Sequence, residues 1–145
     1  MDEEVGCAFG LALARLRAFG PSADVGEPLL AGFSRNRYVA PMFLGERWER
    51  LAGFHATSMA EPEWASDVLE AQGDLWHAVP RGAEVLRFWW SAPPVVAWRR
   101  ELDEVMLRLE DLPPSDARSV MVARGQALRS ETTLRGLVQT VRSSS

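Results

Sequence analysis

The sequence predicts an all-α fold, a compact bundle of five or six helices in a single domain spanning residues 1–142. Three observations predict it. From Ala92 to Leu112, the apolar residues Val95, Trp98, Leu102, Val105, Leu109 and Leu112 recur at alternating gaps of three and four, which keeps one stripe on one side of a helix. Proline and glycine steps close the periodic stretches. Only one run, Val85 to Trp90, has high β-propensity, and a lone strand would have no partner.

The helix over 93–112 stands at the centre of this expectation. Pro93 and Pro94 suit a first turn, and Pro113 and Pro114 stop the helix. Met106 widens the stripe, while Arg99, Arg100, Asp103, Glu104, Arg108 and Glu110 take the remaining surface. Arg99–Asp103, Arg100–Glu104 and Glu104–Arg108 are opposite charges four residues apart. Each such pair adds only about 0.2–0.5 kcal/mol, so packing of the stripe supplies most of the stability.

The other elements follow in order. A first helix over 2–19 buries Val5, Ala8, Phe9, Ala12, Leu16 and Phe19, with Asp2, Glu3 and Glu4 at its dipole-favoured start and Gly20-Pro21 at its end. Residues 22–41 are broken by Gly26, Pro28, Gly32 and Pro41, leaving a short helical piece at 28–33. Ser34 to Tyr38, with the chain's one asparagine and one tyrosine, reads as a solvated loop, although two arginines beside a tyrosine suit a phosphate or carboxylate. A helix over 41–55 presents Leu44, Trp48, Leu51 and His55 on one face. Ser58 and Glu61 have capping-box spacing, and Pro62 opens a helix running to Val79. On it Ala65, Val68, Leu69, Gln72, Leu75, Trp76 and Val79 form the buried face, with Gly73 weakening the helix by about 1 kcal/mol. Residues 83–90 make a short helix leading into the central one. From 115 to 142, with Ser115 as N-cap, a single helix would put Arg124, Glu131 and Arg135 among Val120, Ala127, Leu134, Val138 and Val141. Either the helix breaks near Gly125 or Ser130, or those charges pair within a contact surface. Residues 143–145 should fray.

Composition narrows the function classes. A chain of 145 residues can bury roughly 68–70% of its unfolded surface without staples. Cys7 is the sole cysteine, so disulfides and multi-cysteine metal sites fall away and a reduced, cytoplasmic setting is the simplest expectation. In the first helix, a small buried thiol is its ordinary role. The acidic start MDEEVG does not resemble a signal peptide, and no apolar run reaches the roughly 20 residues that span a bilayer, so no membrane role is expected. All 16 basic residues are arginine, and lysine and isoleucine are absent, which points to a GC-rich bacterial or phage genome. The net charge of −4 is uneven: residues 61–112 carry eleven acids and five arginines, residues 113–145 two acids and five arginines. Nucleic acid is therefore a less favoured partner, reached only through Arg118, Arg124, Arg129, Arg135 and Arg142.

No stretch forces a particular chemistry. Glu70, Asp74 and His77 share a helical face, but the chain lacks the paired Glu-x-x-His units of a di-metal bundle, so that face is expected to be solvated and no metal or cofactor is implied. No nucleophile elbow, phosphate loop or dinucleotide fingerprint occurs. Six tryptophans are the more telling feature, with Trp48, Trp76 and Trp98 expected in the core. The cluster Phe88-Trp89-Trp90, rimmed by Arg99 and Arg100 and complemented by Arg124 and Arg135, is the candidate interaction surface. The leading expectation is a non-enzymatic interaction module with another protein as partner: an adaptor, immunity-type or assembly subunit. The alternative is a small-molecule-binding or enzymatic helical domain with a tryptophan-lined pocket and His55 or His77 as its polar group.

Overall fold

The computed structural model describes residues 3–21, 24–55 and 57–144. Among them every regular element is helical: α1 (Glu3–Phe19), α2 (Gly26–Arg35), α3 (Val39–Leu44), α4 (Pro62–Ala78), α5 (Gly82–Ser91), α6 (Pro93–Asp111), α7 (Asp116–Leu128) and α8 (Glu131–Ser143), with a single 3₁₀ turn at Ser58–Ala60 before α4. The all-α expectation holds. The count of five or six helices does not, because two expected helices are divided or shortened and Gly26–Arg35 is a full helix.

α6 behaves as its stripe predicts. Val95, Trp98, Leu102, Val105, Met106 and Leu109 are buried, and α6 packs against α5, α7 and α8. α1 lies along α2 and touches α4, while α3 joins α4 and α5. No described helix is long and apolar enough to cross a membrane.

The segment expected as a helix over 41–55 stops at Leu44. Gly45 adopts a left-handed φ of 70° and closes α3. Beyond it the backbone donors turn to distant partners: Leu51 N–H donates to the Tyr38 hydroxyl at 2.8 Å, and Phe54 N–H to the Met106 carbonyl at 2.8 Å. Gly53 permits this approach, since a Cβ there would lie 3.0 Å from the Met106 backbone. Ser58 does not cap α4; Glu61 is the N-cap, without a side-chain bond.

The C-terminal segment breaks at Arg129–Ser130. Ser115 caps α7 by accepting from Arg118 N–H, and Ser130 caps α8 by accepting from Thr133 N–H. The break resets the phase, so Leu134, Val138 and Val141 are buried while Arg124, Glu131 and Arg135 lie on the surface. Ser143 ends α8, and Ser144 N–H bonds the Thr140 and Val141 carbonyls. Ser145, Asp2 and the side chains of Glu3 and Glu4 lie outside the described residues.

Several apolar side chains depart from their expected faces. Phe19 is 73% exposed, Leu75 47% and Trp48 41%, and Cys7 is exposed rather than buried. Leu13 is buried on α1 instead. Phe19 is the last residue of α1 and Leu75 lies in the last turn of α4.

Candidate ligand pocket

A cavity of about 330 Å³ opens over the middle of α6. Leu102, Met106 and Leu109 of α6 line it, together with Trp90, Phe33 and Val5; Phe54, Thr57 and Met59 come from the irregular segment before α4, and Val122, Gly125 and Gln126 from α7. The lining is mostly apolar, yet it includes Arg35, Arg37, Arg99 and Arg129 against one carboxylate, Asp103.

Asp103 is spent on Arg37. The Arg37 Nε and Nη2 donate to its two oxygens at 2.8 Å each, a two-pronged pair that fixes the guanidinium plane. Burial works against the Arg37 charge, but the hydrogen bond and charge of Asp103 outweigh it, and the Arg37 pKa is raised. The expected helical pair Arg99–Asp103 is thereby displaced. Of the other two, Glu104–Arg108 forms at 3.0 Å.

Arg99 instead lies flat on Trp90, its guanidinium carbon 3.5 Å from the ring centroid. Its Nη2 donates to the Trp90 carbonyl at 2.9 Å, and its Nε is buried without a hydrogen-bond partner. Burial drives the Arg99 pKa down to about 10, only partly offset by the charge of Asp103. Arg129 folds back beside Gly125 and donates Nε to the Ser34 carbonyl at 3.2 Å; burial lowers its pKa as well. Among the described residues, neither arginine has a carboxylate partner.

The pocket is framed by the Ser34–Tyr38 stretch, which is no solvated loop. Asn36, 1% exposed, donates its amide to the Met59 and Glu61 carbonyls at 2.8 and 2.9 Å and accepts from Tyr38 N–H at 2.9 Å. One buried amide thus joins the α2 end to the entry of α4. At the end of α6, Arg118 donates to the Leu109 and Leu112 carbonyls at 2.6 and 2.8 Å, satisfying the helix terminus. Its guanidinium also stands 5.2 Å from the Phe54 ring centroid. Trp98 Nε1 donates to the Leu128 carbonyl at 2.9 Å and anchors the end of α7.

Of the sequence-predicted surface, Trp90 and Arg99 come together in the pocket wall. Trp89 is buried against Gly26 of α2, and Phe88 is 49% exposed with its ring edge-to-face on Trp89. Arg100, Arg124 and Arg135 lie elsewhere on the surface. Arg124 pairs with Glu101, and Arg135 with Glu27 and Glu131. Arg142 reaches Asp24 at 3.4 Å, so three of the five C-terminal arginines spend their charge on acids of this chain. Neither histidine enters the pocket: His55 bonds Tyr38, and His77 stacks on Phe43 with centroids 4.6 Å apart. No three described His, Cys, Asp or Glu side chains converge as metal ligands.

Sequence reasoning missed Asp103 and Arg129 as pocket residues and offered Arg37 only as one of two arginines beside a tyrosine that suit a phosphate or carboxylate. The one signal for Arg37 was its place beside the lone asparagine and tyrosine; nothing local marked Arg129. No protein-family model, curated protein or solved structure matches the chain, and the functional reading therefore rests on the pocket's own residues.

Proposed function

We propose that this chain is a small-molecule-binding helical domain whose ligand occupies the cavity over α6. The observation that carries the reading is the Arg99 guanidinium, packed on Trp90 at 3.5 Å in a cavity of about 330 Å³ and lacking a carboxylate partner among the described residues. Ligand sites span about 300–1,000 Å³ and combine apolar walls with a few placed polar groups, a description this cavity meets. Arginine, rather than either histidine, supplies the polar group.

A thermal-shift screen of small metabolites tests the proposal. A ligand at 100 times its dissociation constant adds about 2.7 kcal/mol of stability. Val122 stands at the rim, so Val122→Trp should fill the cavity and abolish the shift. A shift that survives this substitution would put the ligand elsewhere.

A second reading, a protein-contact module, is supported by Phe88, half exposed beside buried Trp89. Phe88→Ala leaves the core intact and should then remove a partner that co-purifies with the chain from its native host; an unchanged partner set counts against this surface.

A further inference from the structure

We propose that the ligand is an organic carboxylate: its acid group is held between Arg99 and Arg129, and its apolar body lies among Met59, Leu102 and Met106. This inference rests on the pocket reading above and specifies the chemistry of its occupant.

Charge is the first argument. The chain carries a net charge of −4, yet the cavity wall holds four arginines and one carboxylate. That carboxylate is committed to Arg37 through both oxygens. Arg99 and Arg129 keep their charge at neutral pH, and among the described residues they donate to the backbone carbonyls of Trp90 and Ser34. A cationic cavity in an acidic molecule selects anions and draws them in.

The form of the anion follows from the remainder of the wall. The Arg99 guanidinium is taken partly out of water, its Nε buried without a hydrogen-bond partner, and a buried cation without an anion is costly. A carboxylate brings one charge and two acceptor oxygens, which two guanidinium groups can satisfy. A phosphate ester brings more charge, which is costlier to take out of water beside an apolar wall of Leu102, Met106 and Phe54. The apolar wall in turn requires a body that gains by leaving water. At about 330 Å³ the cavity lies at the small end of the range for ligand sites, which suits a small acid.

The test is isothermal titration of the full chain at neutral pH with octanoate, 1-naphthoate, their amides, octylamine and octyl phosphate. The wild type, Arg129→Gln and Val122→Trp are compared, with circular dichroism confirming that each is folded. At least one carboxylate should bind, at least about ten-fold more tightly than its amide, as expected for a hydrogen bond to a charged group. Arg129→Gln should narrow that preference, weakening the acid more than its amide, an outcome that mere loosening of the fold would not produce. Amide and acid binding equally, or octyl phosphate binding most tightly, would overturn the carboxylate assignment and leave the pocket reading standing. Failure of every probe, with no shift in the wider metabolite screen, would overturn both.

Discussion

The Tyr38 hydroxyl lies 2.9 Å from His55 Nε2 while accepting from Leu51 N–H at 2.8 Å. The two rings also stack, with centroids 5.8 Å apart and planes 20° from parallel. His55 Nδ1 is 3.0 Å from the Gly53 carbonyl. A carbonyl only accepts, so Nδ1 carries the hydrogen in this arrangement, and Nε2 accepts the hydrogen bond that the Tyr38 hydroxyl donates. One hydroxyl therefore shapes the segment that delivers Phe54 and Thr57 to the pocket.

Tyr38→Phe should leave Leu51 N–H and His55 Nε2 without their partner. The expected cost is about 1–3 kcal/mol, read as a lower urea midpoint with an unchanged slope. Amide exchange at Leu51 should accelerate ahead of global unfolding. Unaltered exchange at Leu51 would show that something other than this hydroxyl shapes the segment.

Asp103→Asn should separate stability from affinity. The substitution removes the acceptor pair of Arg37 and the negative charge that supports Arg99. The pair is about one quarter exposed on each side, and breaking it should cost about 1.5–3 kcal/mol. A pocket freed of its one carboxylate should nevertheless hold an organic acid several-fold more tightly. Titration with octanoate or naphthoate reads the second effect, and a fall in affinity alongside stability would contradict the charge argument.

How much of this was legible depends on where each backbone group finds its partner. α6 could be read because period, flanking prolines and stripe agree, and all of its expected stripe except half-buried Leu112 is buried. The Leu44, Trp48, Leu51, His55 spacing is just as periodic, yet the chain is not helical there. The donors of Leu51 and Phe54 go to Tyr38 and Met106, and no local pattern records such distant partners. The pocket was half visible for the same reason. Trp90 and Arg99 flank one short break between helices, so their nearness follows from the sequence, whereas Arg129 arrives only because α7 packs on α6. Trp89 and Trp90 point to different sides of α5, and both are covered because Gly26 of α2 meets one and Phe33, also of α2, and Arg99 meet the other.

Acid should expose a second tether on the same segment. Arg50 donates to Glu61 and, at 2.6 Å, to Glu63. The Glu63 carboxyl is held below its ordinary value near 4.5 by its own backbone N–H and then by Arg50. A depressed carboxylate contributes stability above its unfolded pKa and loses it as pH falls through the folded one. Loss is therefore expected below about pH 4.5, and its size is small because the pair is exposed to solvent. Arg50→Gln should raise the Glu63 titration midpoint toward the ordinary value, as followed by carboxyl carbon NMR. An unmoved midpoint would leave the helix start alone responsible.

Two glycines should respond to the same substitution with opposite sign. A Cβ on Gly26 would lie 2.5 Å from Trp89 Cη2 and 2.7 Å from Cζ2, atoms of a ring that is itself buried. The ring cannot swing aside as a flexible side chain would, so Gly26→Ala should cost about 1–3 kcal/mol through overpacking. On Gly73, inside α4, a Cβ would meet nothing within 4 Å. There the methyl group only narrows the unfolded chain and favours the helix, and Gly73→Ala should add about 1 kcal/mol. In a chain of this size that corresponds to a rise of roughly 2–4 °C in Tm. Calorimetry of both variants checks the contrast, and a stabilising Gly26→Ala would mean that α2 and Trp89 do not meet as closely as their packing requires.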